Sequence, residues 1–184
     1  MAIREILHFP NPLLHQAAKE VEEVTPEIQE LMDDMLETMY HAKGIGLAAV
    51  QIGVHLRVAV IDLAREGETA NPQYFVNPKL SNFSEEINVY DEGCLSVLNP
   101  KQTEDNPAPS IYEPVDRPKT CRVDFLDYNG QPQQLECDGL FATCIQHEVD
   151  HLDGILFLQR LSRLKQSMIE KKLRKAHARV TRNT

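Results

Sequence analysis

Apolar residues in this 184-residue sequence never run to the ~18 needed to cross a membrane. The opening Met-Ala-Ile-Arg-Glu-Ile-Leu also lacks the basic start and long apolar stretch of a signal peptide. No membrane contact and a cytoplasmic location are therefore expected. The four cysteines, Cys94, Cys121, Cys137 and Cys144, lack the paired spacing of a disulfide framework, so reduced thiols are expected and any special cysteine is there for chemistry. Internal repeats and low-complexity tracts are absent. With 42% hydrophobic residues the chain is not disordered, and its length suits one catalytic domain over residues 1–184.

Charge is unevenly spread. The net charge is −9, yet residues 160–184 carry nine Lys/Arg and one Glu, a local +8 that leaves −17 for the rest. Residues 161–184 read as a basic C-terminal helix and tail, with Ser162 as its N-cap.

Thr25-Pro26-Glu27 supplies a cap, a first-turn proline and an acidic first turn. Ile28, Leu31, Met32, Met35, Leu36 and Met39 follow at helical spacing, and Gly44 is a stop. The methionine stripe is read as a core face rather than a binding groove. Strands are expected over residues 56–62, 73–77, 86–90, 119–127 and 133–138, the last two joined as a hairpin. Residues 98–118, with five prolines, read as a long loop. Asp138 should cap a further helix that Gly154 ends. Strands run together between helices, so the expected fold class is α+β, antiparallel β-sheets packed around a central helix with an N-terminal and a C-terminal helix.

That central helix carries His147-Glu148-Val149-Asp150-His151. Residues four apart lie one turn up the same face, so both imidazoles can reach one divalent ion while Glu148 is placed as a base beside a bound water. A third ligand is needed. Cys144 fails as that ligand because Cys144, His147 and His151 would span about 10 Å of helix rise, more than the ligands of one ion allow. Cys121 and Cys137 read as buried strand residues. Cys94 differs, standing in Asp91-Glu92-Gly93-Cys94-Leu95-Ser96 beside a glycine and an acidic residue, an expensive place for an inert thiol. Further downstream, Phe157 stands where a metzincin would have its third histidine, and Glu170, among basic residues, is a poor match to a thermolysin-like ligand.

The stretch Gly44-Ile45-Gly46-Leu47-Ala48-Ala49-Val50-Gln51 formally fits a dinucleotide-binding pattern, but it leaves a helix and enters a strand, the reverse of the required order. No nucleotide cofactor is expected. What remains is a small-residue loop ending in the neutral amide of Gln51.

Taken with Glu92-Gly93-Cys94-Leu95-Ser96 and Gln146-His147-Glu148-Val149-Asp150-His151, this stretch resembles the three motifs of the peptide deformylases, in order and over nearly the whole chain. The resemblance implies Cys94, His147 and His151 as ligands of one divalent metal ion, Fe²⁺ as is typical of the family, with Zn²⁺ the alternative that thiolate and imidazole ligands suit equally. It implies Glu148 as general acid/base, and the Gln51 amide and the Leu95 backbone N–H as oxyanion donors. The implied substrates are N-formylmethionyl peptides, released as formate and free amine. Ile45, Leu140, Cys144 and His147 would line the methionine pocket, with Glu92, paired to Arg117, at its base and Gly46 offering its backbone to the peptide. Some family members dock on the ribosome through the last helix, and the basic tail suits that anionic surface. The chain departs from the family over residues 97–116, where a longer acidic loop could serve as a lid or partner contact, and at Tyr90. A zinc metalloprotease and a non-enzymatic structural metal site are the alternative functions.

Overall fold

The computed structural model describes residues 2–64, 67–98 and 110–180. Helix α1 (Pro26–His41) is followed by strands β1 (Gly46–Ala48), β2 (Val58–Ile61), β3 (Gln73–Ser81), β4 (Ile87–Glu92), β5 (Glu113–Pro118), β6 (Thr120–Leu126) and β7 (Pro132–Asp138). Helices α2 (Gly139–Leu152) and α3 (Arg163–Val180) complete the order, separated by a 3₁₀ turn, Phe157–Arg160. The α+β class expected from the sequence is the one observed.

Five strands form one antiparallel sheet in the order β1-β2-β3-β6-β7, and β4 pairs with β5 alone. Strand β2 explains how the large sheet is held. Its four residues are all buried, and alternation sends Val58 and Val60 to one face and Ala59 and Ile61 to the other. The first face packs on α1 through Met32, Met35 and Met39, so the methionine stripe is core. The second face packs on α2 through Ala142, Ile145, Val149 and Leu152. The helix bearing the histidines is thus clamped onto a sheet that a second helix backs. A third cluster gathers Phe9, Leu14, Cys94, Val97, Val115 and Phe157 with Ile169 and Leu173 of α3.

Several local expectations are refined. Residues 44–51 are not a simple loop: Gly46–Ala48 is the edge strand β1, and Ala49–Ile52 is a 3₁₀ turn. Of the segment expected as a long loop over 98–118, Leu98 and Ser110 form an isolated antiparallel bridge, and residues 99–109, with their lid reading, lie outside the described residues. Glu113–Pro118 is a strand despite two prolines. Pro114 and Pro118 share one parity, so their missing N–H groups fall on one edge and the ladder can run through the other residues. Thr25 and Asp138 occupy the cap positions of α1 and α2 without a side-chain cap bond, whereas the Ser162 hydroxyl accepts the Lys165 N–H at 3.4 Å. The expected hairpin joins β6 and β7, its turn held by the Asp127 carboxylate accepting N–H groups of Asn129 and Gln131.

Candidate active site

Three segments meet over α2: the β1 edge with its 3₁₀ turn, the end of β4 running into Cys94, and the helix itself. Between them is a cleft of about 230 Å³. Ile45, Gly46, Gln51, Glu92, Cys94, Leu95, Leu140, Cys144, His147 and Glu148 all line it. His151 is fully buried beneath.

The donor atoms of Cys94, His147 and His151 lie within 4.8 Å of one another. Cys94 Sγ is 3.1 Å from His151 Nε2. Ligands at 2.0–2.3 Å around a tetrahedral ion stand roughly 3–4 Å apart, so this set can close on one ion with small side-chain movement. His147 is held in the right tautomer for it: Nδ1 lies 2.9 Å from Glu92 Oε2, which leaves Nε2 to face the centre. Burial lowers His151 well below its ordinary value, so it presents a neutral imidazole. The residues present therefore fit a thiolate and two-imidazole metal site. Cys144 stays out of the group, and burial lifts its thiol to about 12, which keeps it protonated as a pocket wall.

Glu148 points into the same space from the helix. Its carboxylate is buried, its Oε2 has no hydrogen-bond partner in the protein, and burial raises it to about 7 despite the pull of His147. Gly46 makes this position available: a Cβ there would lie 2.3 Å from Glu148 Oε1. Gln51 is fixed by its own carbonyl, which accepts the Ala48 N–H at 2.9 Å. Its amide nitrogen is thereby directed at Ser96 Oγ, 3.1 Å away, and Cys94 Sγ at 3.6 Å. Ile45 and Leu140 are half-exposed at the mouth, opposite Tyr90.

Behind His147 lies a line of charges. Arg117 donates to both Glu92 oxygens, at 2.5 and 2.9 Å, and to Asp150 at 2.8 Å. Burial alone would raise Glu92, but hydrogen bonds from His147 and Arg117 outweigh it and hold the carboxyl at about 2. Asp150, Ser96, Tyr112 and Phe157 carry no role in the sequence reading. The Phe157 ring stacks on His147 with centroids 6.2 Å apart. Tyr112 stands over Gly93, where a Cβ would meet its ring at 2.6 Å. Asp150 is one residue from His151, and its neighbourhood in sequence says nothing of a partner 33 positions away. Strand alternation could have turned Arg117 inward with Val115, had the prolines not disguised β5.

Comparison with known proteins is consistent across sequence and fold. Residues 3–167 match the family model described as polypeptide deformylase. A peptide deformylase of Hyphomonas neptunium is 53% identical over 183 residues, covering 99% of this chain and 98% of that one. One from Pelagibacter ubique is 51% identical over 175 residues, 95% of each chain. The crystal structure of peptide deformylase from Ehrlichia chaffeensis superposes with a TM-score of 0.84 at 35% identity, covering 98% of this chain and 99% of that one.

Proposed function

The chain belongs to the polypeptide deformylase family and is a metal-dependent hydrolase that removes the formyl group from N-formylmethionyl peptides, and we propose how its residues divide that work. Cys94, His147 and His151 hold one divalent ion, Glu148 is the general acid/base, and the Gln51 amide with the Leu95 N–H receives the oxyanion. The observation that carries this reading is the convergence of three buried donor atoms at the floor of a cleft that Glu148 and Gln51 also face. We propose further that residues 1–184 work as one catalytic domain, in the cytoplasm.

Held by Cys94, His147 and His151, a divalent ion would supply Lewis acidity, of the kind that brings a water's pKa from 15.7 towards about 7. Glu148, poised near neutrality, would hold a proton at its carboxylate and deliver it to the departing methionine amine. Gln51 is oriented to donate, because the Ala48 N–H holds its carbonyl end and turns its amide nitrogen towards Cys94. Ile45, Leu140 and the protonated Cys144 give an apolar wall for an unbranched side chain, and Glu92 at the base is neutralised by Arg117. Gly46, on the open edge of β1, leaves backbone for an extended peptide to pair with. Softness suits the ligand set to Fe²⁺ or Zn²⁺ alike, and the family resemblance favours Fe²⁺.

The test is an anaerobic preparation assayed for metal and for formate. One equivalent of iron and formate release from a formyl-methionyl peptide, with the acetylated peptide untouched, is expected. Cleavage of internal peptide bonds instead would make it a metalloprotease, and metal without any hydrolysis would make the site structural.

We also propose that α3 contacts the ribosome surface. Ile169 and Leu173 anchor the helix to the body, leaving Lys171, Lys172 and Lys175 exposed for an anionic partner.

A further inference from the structure

The line of charges behind His147 does not stop at Arg117. Asp150 accepts from Arg117 Nη1 at 2.8 Å, and the same oxygen accepts from Arg160 Nε at 3.0 Å. Its other oxygen accepts from Arg160 Nη2 at 2.5 Å. Five side chains, His147, Glu92, Arg117, Asp150 and Arg160, thus form one unbroken series from the cleft to the surface. The inner four are almost fully buried, and the Arg160 side chain is 46% exposed.

Counting charge explains why the series needs its outer member. Arg117 is one cation between two buried carboxylates, Glu92 and Asp150. Arg160 brings the set to two of each sign. Most surface ion pairs matter little, but this one compensates a carboxylate that is itself out of water and competes for the guanidinium holding Glu92. Arg160 also ends the 3₁₀ turn that begins at Phe157, the residue stacked on the His147 ring. One short turn therefore reaches His147 twice, directly through Phe157 and at a distance through the charges.

We propose that Arg160 and Asp150 are positioning residues of the deformylation centre, acting through Arg117 and Glu92 to fix the orientation and donor strength of His147. Without Arg160, Asp150 draws Arg117 towards itself and loosens the grip on Glu92, so the imidazole loses its fixed partner. The inference rests on His147 being a metal ligand.

The experiment uses the full chain loaded with Co²⁺ under anaerobic conditions, comparing the parent with Arg160→Gln, Arg160→Lys and Asp150→Asn. Visible ligand-field bands, the rate of Co²⁺ release to a chelator, and kcat and KM are read on folded protein. Partners one step beyond a ligand typically alter metal affinity or activity by 10- to 100-fold, so Arg160→Gln, three links beyond Glu92 in the series, should speed release and lower kcat by about 10-fold, the low end of that range. Its KM should be unchanged and its bands shifted, as for Asp150→Asn. Arg160→Lys, which keeps the charge but cannot reproduce the two-pronged contact with Asp150, should fall between Arg160→Gln and the parent. Parental bands and release rates in Arg160→Gln and Asp150→Asn overturn the inference, whether or not these variants melt earlier, because a brace without influence on His147 would change stability alone. Parental bands in Cys94→Ala would instead overturn the ligand assignment itself.

Discussion

Helices α2 and α3 are both amphipathic and both carry charge, yet they use it in opposite ways. Ten of the fourteen residues of α2 are buried, among them Glu148, Asp150 and His151. A charged group in that setting is expensive unless it is paired or has its protonation changed, and α2 shows both, Asp150 paired and Glu148 raised. Among the described side chains of α3 only Ile169 and Leu173 are buried, and Lys171, Lys172 and Lys175 stand in solvent, where a charge costs nothing and does little locally. Burial, more than residue type, separates side chains that do chemistry from those that offer a long-range field.

The sharpest test of the contrast sits at two buried cysteines. Cys94→Ala should lose the metal and all measurable deformylation, while Cys144→Ala keeps a full equivalent of metal, as elemental analysis of both would establish. Next in size, Glu148→Ala should keep the metal and lose about 10²- to 10⁴-fold in kcat, measured by formate release. Activity within tenfold of the parent would break the distinction between ligand and base.

Glu92→Gln probes the pairing behind α2. The folded-state pKa of Glu92, about 2, lies below the ordinary 4.5, so its contribution to stability is full above 4.5 and is lost as pH falls through 2. Urea unfolding should find the variant about 3 kcal/mol less stable at neutral pH, with the parent's loss of stability between pH 4.5 and 2 flattened. The smallest effect on catalysis belongs to α3. Reversing Lys171, Lys172 and Lys175 to Glu should leave formyl-peptide hydrolysis within about twofold yet abolish salt-sensitive pelleting with ribosomes. Truncation would be a poorer test, since it removes Ile169 and Leu173 from the core. Equal pelleting of parent and variant would return α3 to an ordinary solvated face.

What could be read from the sequence follows the range of each interaction. The two histidines and Glu148 were legible because their spacing is one helical turn, and α1 because its methionines repeat at helical period. Cys94 could be reached by excluding Cys144 on helix rise, but its union with α2 is a tertiary contact between positions 57 apart, which no local pattern records. Asp150 is not legible because nothing near it in sequence marks Arg117 or Arg160 as partners. β5 is disguised in the sequence because Pro114 and Pro118 hide an alternation that Val115 and Arg117 still obey. The edge strand at Gly46 is three residues long, too short for any periodicity to show.

The separation of Cys94 and His151 has a consequence for the chain as a polymer. An ion held by both, as proposed, would fasten a loop of 57 residues, much as a disulfide would. On a chain-entropy estimate, a crosslink of that span removes about 4 kcal/mol of freedom from the unfolded state. Unlike a disulfide, this clasp opens and closes by mass action, tightening as free metal rises above its dissociation constant. Metal occupancy would then add to the stability of the fold as well as set how fast the folded chain turns over.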